Sequence, residues 1–225
     1  VADGLRRGWV ARQPVRSRGR RLRNRIGRRT GKVQTLLGRR GMAVALLGPD
    51  GAGKSTLAEG LRSSFYLPTR PLYAGLYGAG SGSVPKVPGL RLTVRLLKLW
   101  RLALTAEVHK ARGRLVVFDR YTSDALLPGT GRTGVASRAR RWLLAHACPT
   151  PQLIVVLDAP AQALFDRKGE HDVERLEQQR QGYATLARLP RVTVVDAARP
   201  PEEVRRTVTG LVWQRWGQRR GLGRP

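Results

Sequence analysis

The sequence predicts a three-layer α/β domain, in which a parallel sheet of about five strands carries helices on both faces. Short unbroken apolar runs, among them MAVALL, LVVF and LIVVL, alternate along the chain with longer amphipathic stretches. Strands buried on both faces form such unbroken runs, whereas strands with one solvated face alternate apolar and polar residues. The alternation of strand and helix is typical of α/β folds. With 225 residues, 41% of them hydrophobic, the chain can bury one sizeable core.

The individual elements follow from the apolar runs and from the residues that bound them. Nine Gly or Pro residues between positions 68 and 89 predict a long loop in that segment. The strands are expected at Met42–Leu47, within the loop near Leu72–Leu76, and at Arg114–Asp119, Leu153–Leu157 and Val192–Val195. The helices are expected from about Lys54 to Ser64, over Leu90–Ala111, near Ala136–Ala147, from Ala161, over Glu174–Arg188, and from Pro201 to about Trp216.

The predicted helix Leu90–Ala111 has an apolar and a basic side. Its apolar side is predicted from a repeat at every fourth residue, formed by Leu96, Trp100, Leu104 and Val108. The opposite side carries Arg91, Arg95, Lys98 and Arg101. Such a basic side could line a binding site for an anionic substrate or lie on an anionic membrane, but a solvated face is favoured.

The positive charge of the chain is concentrated towards its ends. The formal net charge is +28, and residues 1–40 hold 14 Lys and Arg against a single acid, Asp3. This composition predicts a mostly disordered basic arm over 1–40, one ordered domain over 41–216 and a basic tail over 217–225. Such an arm could bind nucleic acid or an anionic membrane surface, but 37 Arg against 6 Lys favours a solvated tail without a partner.

Several classes of protein are excluded or disfavoured by composition. Cys148 is the single cysteine, which excludes an intramolecular disulfide and a cysteine zinc cluster and favours a reducing, cytoplasmic location. No stretch approaches the roughly 20 apolar residues of a membrane-spanning helix. Arginines interrupt the first residues throughout, so no signal-peptide core is expected there.

The segment GPDGAGKS at 48–55 matches the phosphate-binding pattern G-x-x-x-x-G-K-[ST] between a predicted strand and a predicted helix. Its glycines let backbone N–H groups converge on phosphate oxygens, and the helix that follows directs its positive end at the same anion. The pattern predicts a P-loop NTPase fold that binds ATP with Mg²⁺, in which Lys54 reaches the β- and γ-phosphates and Ser55 binds the metal. The predicted nucleotide contacts are Gly48, Asp50, Gly51, Ala52, Gly53, Lys54, Ser55 and Thr56.

Two features of the sequence favour a kinase over other P-loop proteins. Asn24 is the only asparagine, which excludes the Asn-Lys-x-Asp guanine reader of regulatory GTPases. The third strand ends in Asp119 followed by Arg120, where a hydrolytic ATPase would usually carry a second carboxylate to activate water. Arginine clamps phosphates in a bidentate manner, so its place beside a metal-proximal aspartate indicates phosphoryl transfer to an anionic acceptor.

Four segments in this order resemble those of the thymidylate kinases. They are GPDGAGKST, VVFDRY ending at Tyr121, PQLIVVLDAP over 151–160 and VVDAARPPEEV over 194–204, so the resemblance covers about 42–216. It implies a nucleoside monophosphate kinase that uses ATP and Mg²⁺ to convert dTMP to dTDP, in a family whose members commonly form homodimers.

The resemblance also implies roles for individual residues. Asp119 would lie near the metal and the acceptor phosphate, Arg120 would grip that phosphate, and Asp158 would be structural. On the resemblance, Arg167 and Lys168 would belong to a basic lid, and Ala197 lies in the 196–200 loop expected against adenine. The acceptor would then be bound by Arg70, Arg101, Arg120 and Tyr121, with Arg70 and Arg101 as substitutes for family arginines.

Three departures from the family pattern all fall on the acceptor side. Asp124 stands where the family has a serine, Thr69–Tyr73 replaces an Arg-Glu-Pro-Gly-Gly loop, and the helix Leu90–Ala111 lacks a clear Asp-Arg pair. Two alternatives therefore stay open at this point. One is a P-loop kinase of another small-molecule acceptor, and the other is a nucleotide-gated binding protein that uses its basic arm.

Overall fold

The computed structural model describes residues 41–65, 67–75, 90–127, 134–169 and 172–220. Five strands lie in these segments: β1 (Met42–Leu47), β2 (Thr69–Tyr73), β3 (Leu115–Asp119), β4 (Leu153–Asp158) and β5 (Val192–Asp196). The α-helices are α1 (Lys54–Ser64), α2 (Leu90–Ala111), α3 (Val135–Ala145), α4 (Ala161–Lys168), α5 (Val173–Leu186) and α6 (Pro201–Arg219), and a 3-10 helix covers Thr122–Leu126. The predicted basic arm, residues 76–89 of the predicted loop and residues 221–225 lie outside the described residues.

The five strands form one parallel sheet in the order β2-β3-β1-β4-β5. Because β1 lies between β3 and β4, the carboxyl ends of all three strands meet at one edge of the sheet. Leu46 of β1 is paired with Asp119 of β3, which brings the segment after β3 beside the loop that follows β1. The predicted fold class, a parallel five-stranded sheet with helices on both faces, is confirmed.

Alternate residues of the strands supply two separate layers of core. One layer packs Val44, Leu46 and their neighbours against α1 and α6, and the ring of Phe65 stacks on Trp213 at 4.6 Å where these two helices meet. The other layer packs Ala45, Leu47 and their neighbours against α2, α3 and α5. In the described part of the chain, no helix is long and apolar enough to cross a bilayer.

Two elements differ from the sequence-based expectation. The short strand expected near Leu72–Leu76 within the predicted loop begins three residues earlier, because Thr69–Tyr73 is an edge strand paired with β3. Helix α6 continues to Arg219 rather than ending near Trp216. Two arginines bond its last turns to the residues just before β4 and β1: Arg215 Nε donates to Gln152 O at 3.0 Å and Arg219 Nη1 to Gly41 O at 3.1 Å. The first residues of the predicted basic tail are therefore helical.

Helix α2 turns a different side to the sheet from the one that its every-fourth-residue repeat suggested. Trp100 and Leu104 are 56% and 67% exposed, whereas Leu99 and Ala106 are buried against the sheet. The helix is apolar on two sides. The side that carries Leu96, Leu99 and Ala106 packs against the core, and the side with Trp100 and Leu104 faces away from this domain.

Candidate active site

The phosphate loop between β1 and α1 is closely packed against the sheet. Gly48 has a φ of 144°, and a Cβ atom at this position would lie 2.6 Å from the carbonyl oxygen of Leu157. Gly51, with a φ of 87°, approaches the carbonyl oxygen of Leu164 in the same way. Side chains are strained at such φ values, so glycine is required for conformation and for space. The opposite side of the loop faces a cavity of about 730 Å³.

The side chain of Lys54 lies back along its own loop. Its Nζ donates to the carbonyl oxygens of Gly48 and Pro49 at 2.8 and 2.7 Å and lies 3.9 Å from Asp50 Oδ1. Burial, together with the positive charge of Arg120, lowers the pKa of Lys54 to about 8. The Nζ of Lys54 is thus bonded to carbonyls of its own loop at the wall of the cavity.

Arg120 follows β3 in a left-handed conformation, with a φ of 67°. This conformation costs a non-glycine residue about 1 kcal/mol or more, and it is held here by a hydrogen bond from Arg120 N to Leu46 O at 3.1 Å. The turn directs the guanidinium towards the phosphate loop, where it forms an ion pair with Asp50. Arg120 thus lines the same cavity as Lys54.

Ser55 and Asp119 form the candidate metal site. Ser55 Oγ donates to Asp119 Oδ2 at 2.8 Å, which joins the first turn of α1 to the end of β3. Within the described residues, no group of three His, Cys, Asp or Glu side chains is placed to hold a metal. Magnesium in phosphoryl-transfer sites typically takes one or two protein oxygens, and completes its shell with phosphate and water. A hydroxyl and a carboxylate at this separation fit that requirement.

The cavity brings together most of the residues that the sequence singled out. Its lining includes the predicted residues Asp50, Gly51, Ala52, Gly53, Lys54, Ser55, Thr56, Asp119, Arg120, Arg167 and Ala197. Among the lining residues that were not predicted are three with polar side chains: Tyr73 at the end of β2, and Glu202 and Arg205 in the first turns of α6. Tyr73 of β2 is paired with Asp119 of β3. The register of β2 on β3 that produces this pairing cannot be predicted from the residues around Tyr73.

Three of the predicted acceptor contacts do not line this cavity. Arg70 lies in mid-strand, paired with Val116, rather than at the edge where the phosphate loop lies. Arg101 is exposed on α2. Tyr121 is 4% exposed, its ring contacts Phe118 edge-on, and its hydroxyl donates to Pro149 O at 2.6 Å. The interpretation of Tyr121 as an acceptor contact is therefore corrected, because the side chain is packed in the core and its hydroxyl is already bonded.

The residue expected to lead the basic lid contacts another part of the site. Arg167 Nη1 donates to Ala197 O at 2.8 Å, and Ala197 N donates in turn to Asp158 O at 2.7 Å. The side chain of Lys168 lies outside the described residues, so lid closure over a phosphoryl group stays a prediction. Asp158 accepts two hydrogen bonds from Arg180, at 2.7 and 3.2 Å, and so attaches α5 to the end of β4.

Known proteins with similar sequences are thymidylate kinases. No protein-family model matches the chain. A probable thymidylate kinase of Pyrobaculum calidifontis is 27% identical over 189 residues, which cover 76% of this chain and 95% of that protein. A thymidylate kinase of Verminephrobacter eiseniae is 26% identical over 214 residues, 80% of this chain and 95% of its own length. The chain is therefore similar to thymidylate kinases over most of its length.

Two further comparisons point to the same similarity. A thymidylate kinase of Carboxydothermus hydrogenoformans is 32% identical over 116 residues, which span 46% of the chain and 57% of that relative. Among solved structures, the thymidylate kinase of Candida albicans superimposes with a TM-score of 0.61 at 17% identity, covering 78% of this chain and 92% of that one. At that identity the structural likeness supports the fold alone. The resemblance inferred from the four sequence segments is confirmed.

Proposed function

We propose that this protein is an ATP-dependent kinase that phosphorylates a nucleoside monophosphate, with dTMP as the expected acceptor and dTDP as the product. The relatives named above are thymidylate kinases, and the chain covers 95% of the length of two of them. One observation carries the proposal beyond likeness. The phosphate loop and the arginine that follows β3 line a single cavity, with opposite charges already paired across it.

In the proposed reaction, the cationic side chains change partners when phosphates arrive. Lys54 leaves the carbonyls of Gly48 and Pro49 for the donor phosphates, and Arg120 leaves Asp50 for the acceptor phosphate. Phosphoryl transfer needs little covalent chemistry from the protein, because its catalysis consists of positioning and charge neutralisation. Two cations that are oriented in advance in a partly buried cavity meet both needs.

Ser55 and Asp119 are the residues that would hold Mg²⁺ in this proposal. The bound ion supplies neutralisation of the charge on the donor phosphates. The protein's own part is to keep the Ser55 hydroxyl and the Asp119 carboxylate at the junction of α1 and β3, where both face the cavity.

At the other end of the cavity, the backbone near Ala197 is the proposed adenine contact. Ala197 lines the cavity, and its carbonyl oxygen is bound by Arg167. Asp196 fixes the same loop by accepting a hydrogen bond from Ala198 N at 2.9 Å. Because these backbone groups are already bonded, the proposed contact is packing of the fixed loop against the purine ring.

A coupled assay of ADP release tests the proposal with a panel of nucleoside monophosphates. We expect ATP turnover to depend on dTMP, and Lys54→Met to abolish it without changing the unfolding midpoint by more than a few degrees. Glu59→Gln, an exposed charge change on the same helix, is the matched control and should retain full activity. If no monophosphate raises ATP turnover, the proposal is wrong.

One observation keeps a different acceptor as a second candidate. Asp124 is a buried acid on the acceptor side, where the thymidylate kinase pattern has a serine. Extending the same panel to sugar phosphates and other phosphorylated metabolites decides between the acceptors. If a sugar phosphate is phosphorylated faster than dTMP, the protein is still a kinase, but its acceptor is a sugar phosphate.

We also propose that two copies of the chain pair through the outer side of α2. Leu97, Trp100, Leu104 and Val108 are 41–67% exposed along this side. A contiguous apolar strip on one helix is commonly an interface, whereas single exposed residues are not. Sedimentation should show a dimer that Leu104→Glu dissociates, while Val135→Glu, at an exposed apolar residue on α3, leaves it intact. A monomeric wild type would contradict this pairing.

The basic arm and the location in the cell complete the proposal. A cytoplasmic location is expected for a nucleotide kinase, and the arm is expected to be dispensable for catalysis. Deleting residues 1–40 should preserve turnover. If deletion instead removes a salt-sensitive affinity for nucleic acid or anionic vesicles and the full chain shows no kinase activity, the alternative of a binding protein is favoured.

A further inference from the structure

Asp124 is a buried carboxylate that the proposed reaction has not yet used. It lies in the 3-10 helix after β3 and is 5% exposed. Its Oδ1 accepts a hydrogen bond from Tyr183 Oη of α5 at 3.3 Å. Its Oδ2 lies 4.0 Å from Arg120 Nη1. Burying an acid is costly unless it is bonded and paired, and these two neighbours provide both interactions.

Arg120 therefore lies between two carboxylates with different surroundings. Asp50 belongs to the phosphate loop and lines the cavity, whereas Asp124 does not line it. A phosphate that enters the cavity meets Asp50 directly and competes for the same guanidinium. Asp124, which does not line the cavity, lies 4.0 Å from the same guanidinium and is not exposed to the incoming phosphate in this way.

We propose that Asp124, anchored by Tyr183, is a positioning residue that holds the Arg120 guanidinium towards the cavity while Arg120 passes from Asp50 to an incoming phosphate. This inference rests on the proposed function. Arginine loses rotamer freedom when it binds, so a fixed second carboxylate lowers the entropy that binding would otherwise cost. Asp50 holds the arginine in the empty site, and Asp124 holds it in both the empty and the filled site.

A role in positioning Arg120 accounts for the acid at this buried position. A neutral residue of similar size would fill the same space without a desolvation penalty. The carboxylate of Asp124 has a use that offsets this penalty if it fixes the direction of a neighbouring cation. That cation is Arg120, whose Nη1 lies 4.0 Å from Asp124 Oδ2. The left-handed backbone at Arg120 directs its side chain towards the cavity, and Asp124 restricts the range of positions that the guanidinium can take.

A double-mutant cycle in the full chain tests this role. Wild type, Asp124→Asn, Arg120→Met and the double variant are assayed with ATP and the best acceptor of the panel. We expect Asp124→Asn to lower kcat/KM for the acceptor by about tenfold or more, with the KM for ATP changed less than about twofold. In the Arg120→Met background, Asp124→Asn should have no further effect, because the group through which it acts is gone.

Two further variants separate positioning from folding. Tyr183→Phe removes the hydroxyl that holds Asp124 and should give a smaller loss of the same kind. Glu59→Gln should change nothing. Equal losses from Asp124→Asn in both backgrounds would overturn the inference, as would an Asp124→Asn variant with wild-type kcat/KM.

The same four proteins distinguish failure of this inference from failure of the proposed function. If wild type phosphorylates no acceptor, the kinase proposal fails, and the coupling is then measured by urea unfolding at pH 7.5. Arg120→Met should shift the unfolding midpoint less in the Asp124→Asn background than in wild type. Additive shifts would show that Asp124 does not anchor Arg120.

Discussion

Replacing Asp124 by Asn should change how the stability of the protein depends on pH. Burial raises the pKa of Asp124 to about 6, although the charges of Arg120 and Lys54 act in the opposite direction. An aspartate in an unfolded chain titrates near 3.8. The difference between these pKa values corresponds to about 3 kcal/mol, since one pKa unit is worth about 1.4 kcal/mol.

The sign of the effect follows from which state binds the proton more tightly. Between pH 4 and 6 the folded protein retains a proton on Asp124 that the unfolded chain releases. The contribution of Asp124 to the free energy of unfolding is therefore fully present below pH 4 and is lost as the pH rises through 6. Asn cannot titrate, so the variant lacks this loss.

Urea unfolding of both proteins at intervals from pH 4 to 8 measures the prediction. The free energy of unfolding of Asp124→Asn relative to wild type should rise by about 3 kcal/mol over this range, with its midpoint between pH 4 and 6. Glu59→Gln, which removes one exposed acid on α1, is the matched control for the loss of a carboxylate. A flat difference for Asp124→Asn would show that Asp124 titrates as an exposed acid, which would refute the reasoning from burial.

Three further predictions concern the loop, the metal site and the core. Gly48→Ala should lower stability by about 1–3 kcal/mol in thermal unfolding and weaken ATP binding in calorimetry, because its Cβ would meet Leu157 O. Asp119→Asn should raise the Mg²⁺ concentration for half-maximal turnover by about tenfold or more, while binding of metal-free ATP changes little; an unchanged Mg²⁺ dependence would count against the assigned site. Tyr121→Phe should cost about 1 kcal/mol by losing the bond to Pro149 O, with the acceptor KM unchanged; a large rise in that KM would restore Tyr121 as a substrate contact.

The phosphate loop could be predicted from sequence because all its determinants are adjacent in the chain. The strand β1, the glycines of 48–53 and the first turn of α1 follow one another within a few residues, so their mutual geometry is set locally. The apolar runs that form β3 and β4 are likewise contiguous. Bounds of α1 and α2 were predicted to the residue for the same reason.

The acceptor side could not be predicted because its geometry depends on contacts between segments far apart in the chain. The register of β2 on β3 decides that Tyr73, and not Arg70, reaches the edge of the sheet beside Asp119. The tertiary arrangement of α5 and the 3-10 helix decides that Asp124 meets Tyr183, 59 residues later. Neither pairing leaves a periodic signal in the sequence of either segment.

The amino-acid sequence by itself determined the α/β class, the order of strands and helices along the chain, and a phosphate-binding loop that carries Lys54 and Ser55. These features depend on local apolar patterning and on short-range backbone requirements. Only the tertiary structure decided which arginines face the cavity, which side of α2 is left exposed, and that Tyr121 packs inward. Such choices are made by the competition of several side chains for one volume, and that competition begins only when the sheet and its helices come together.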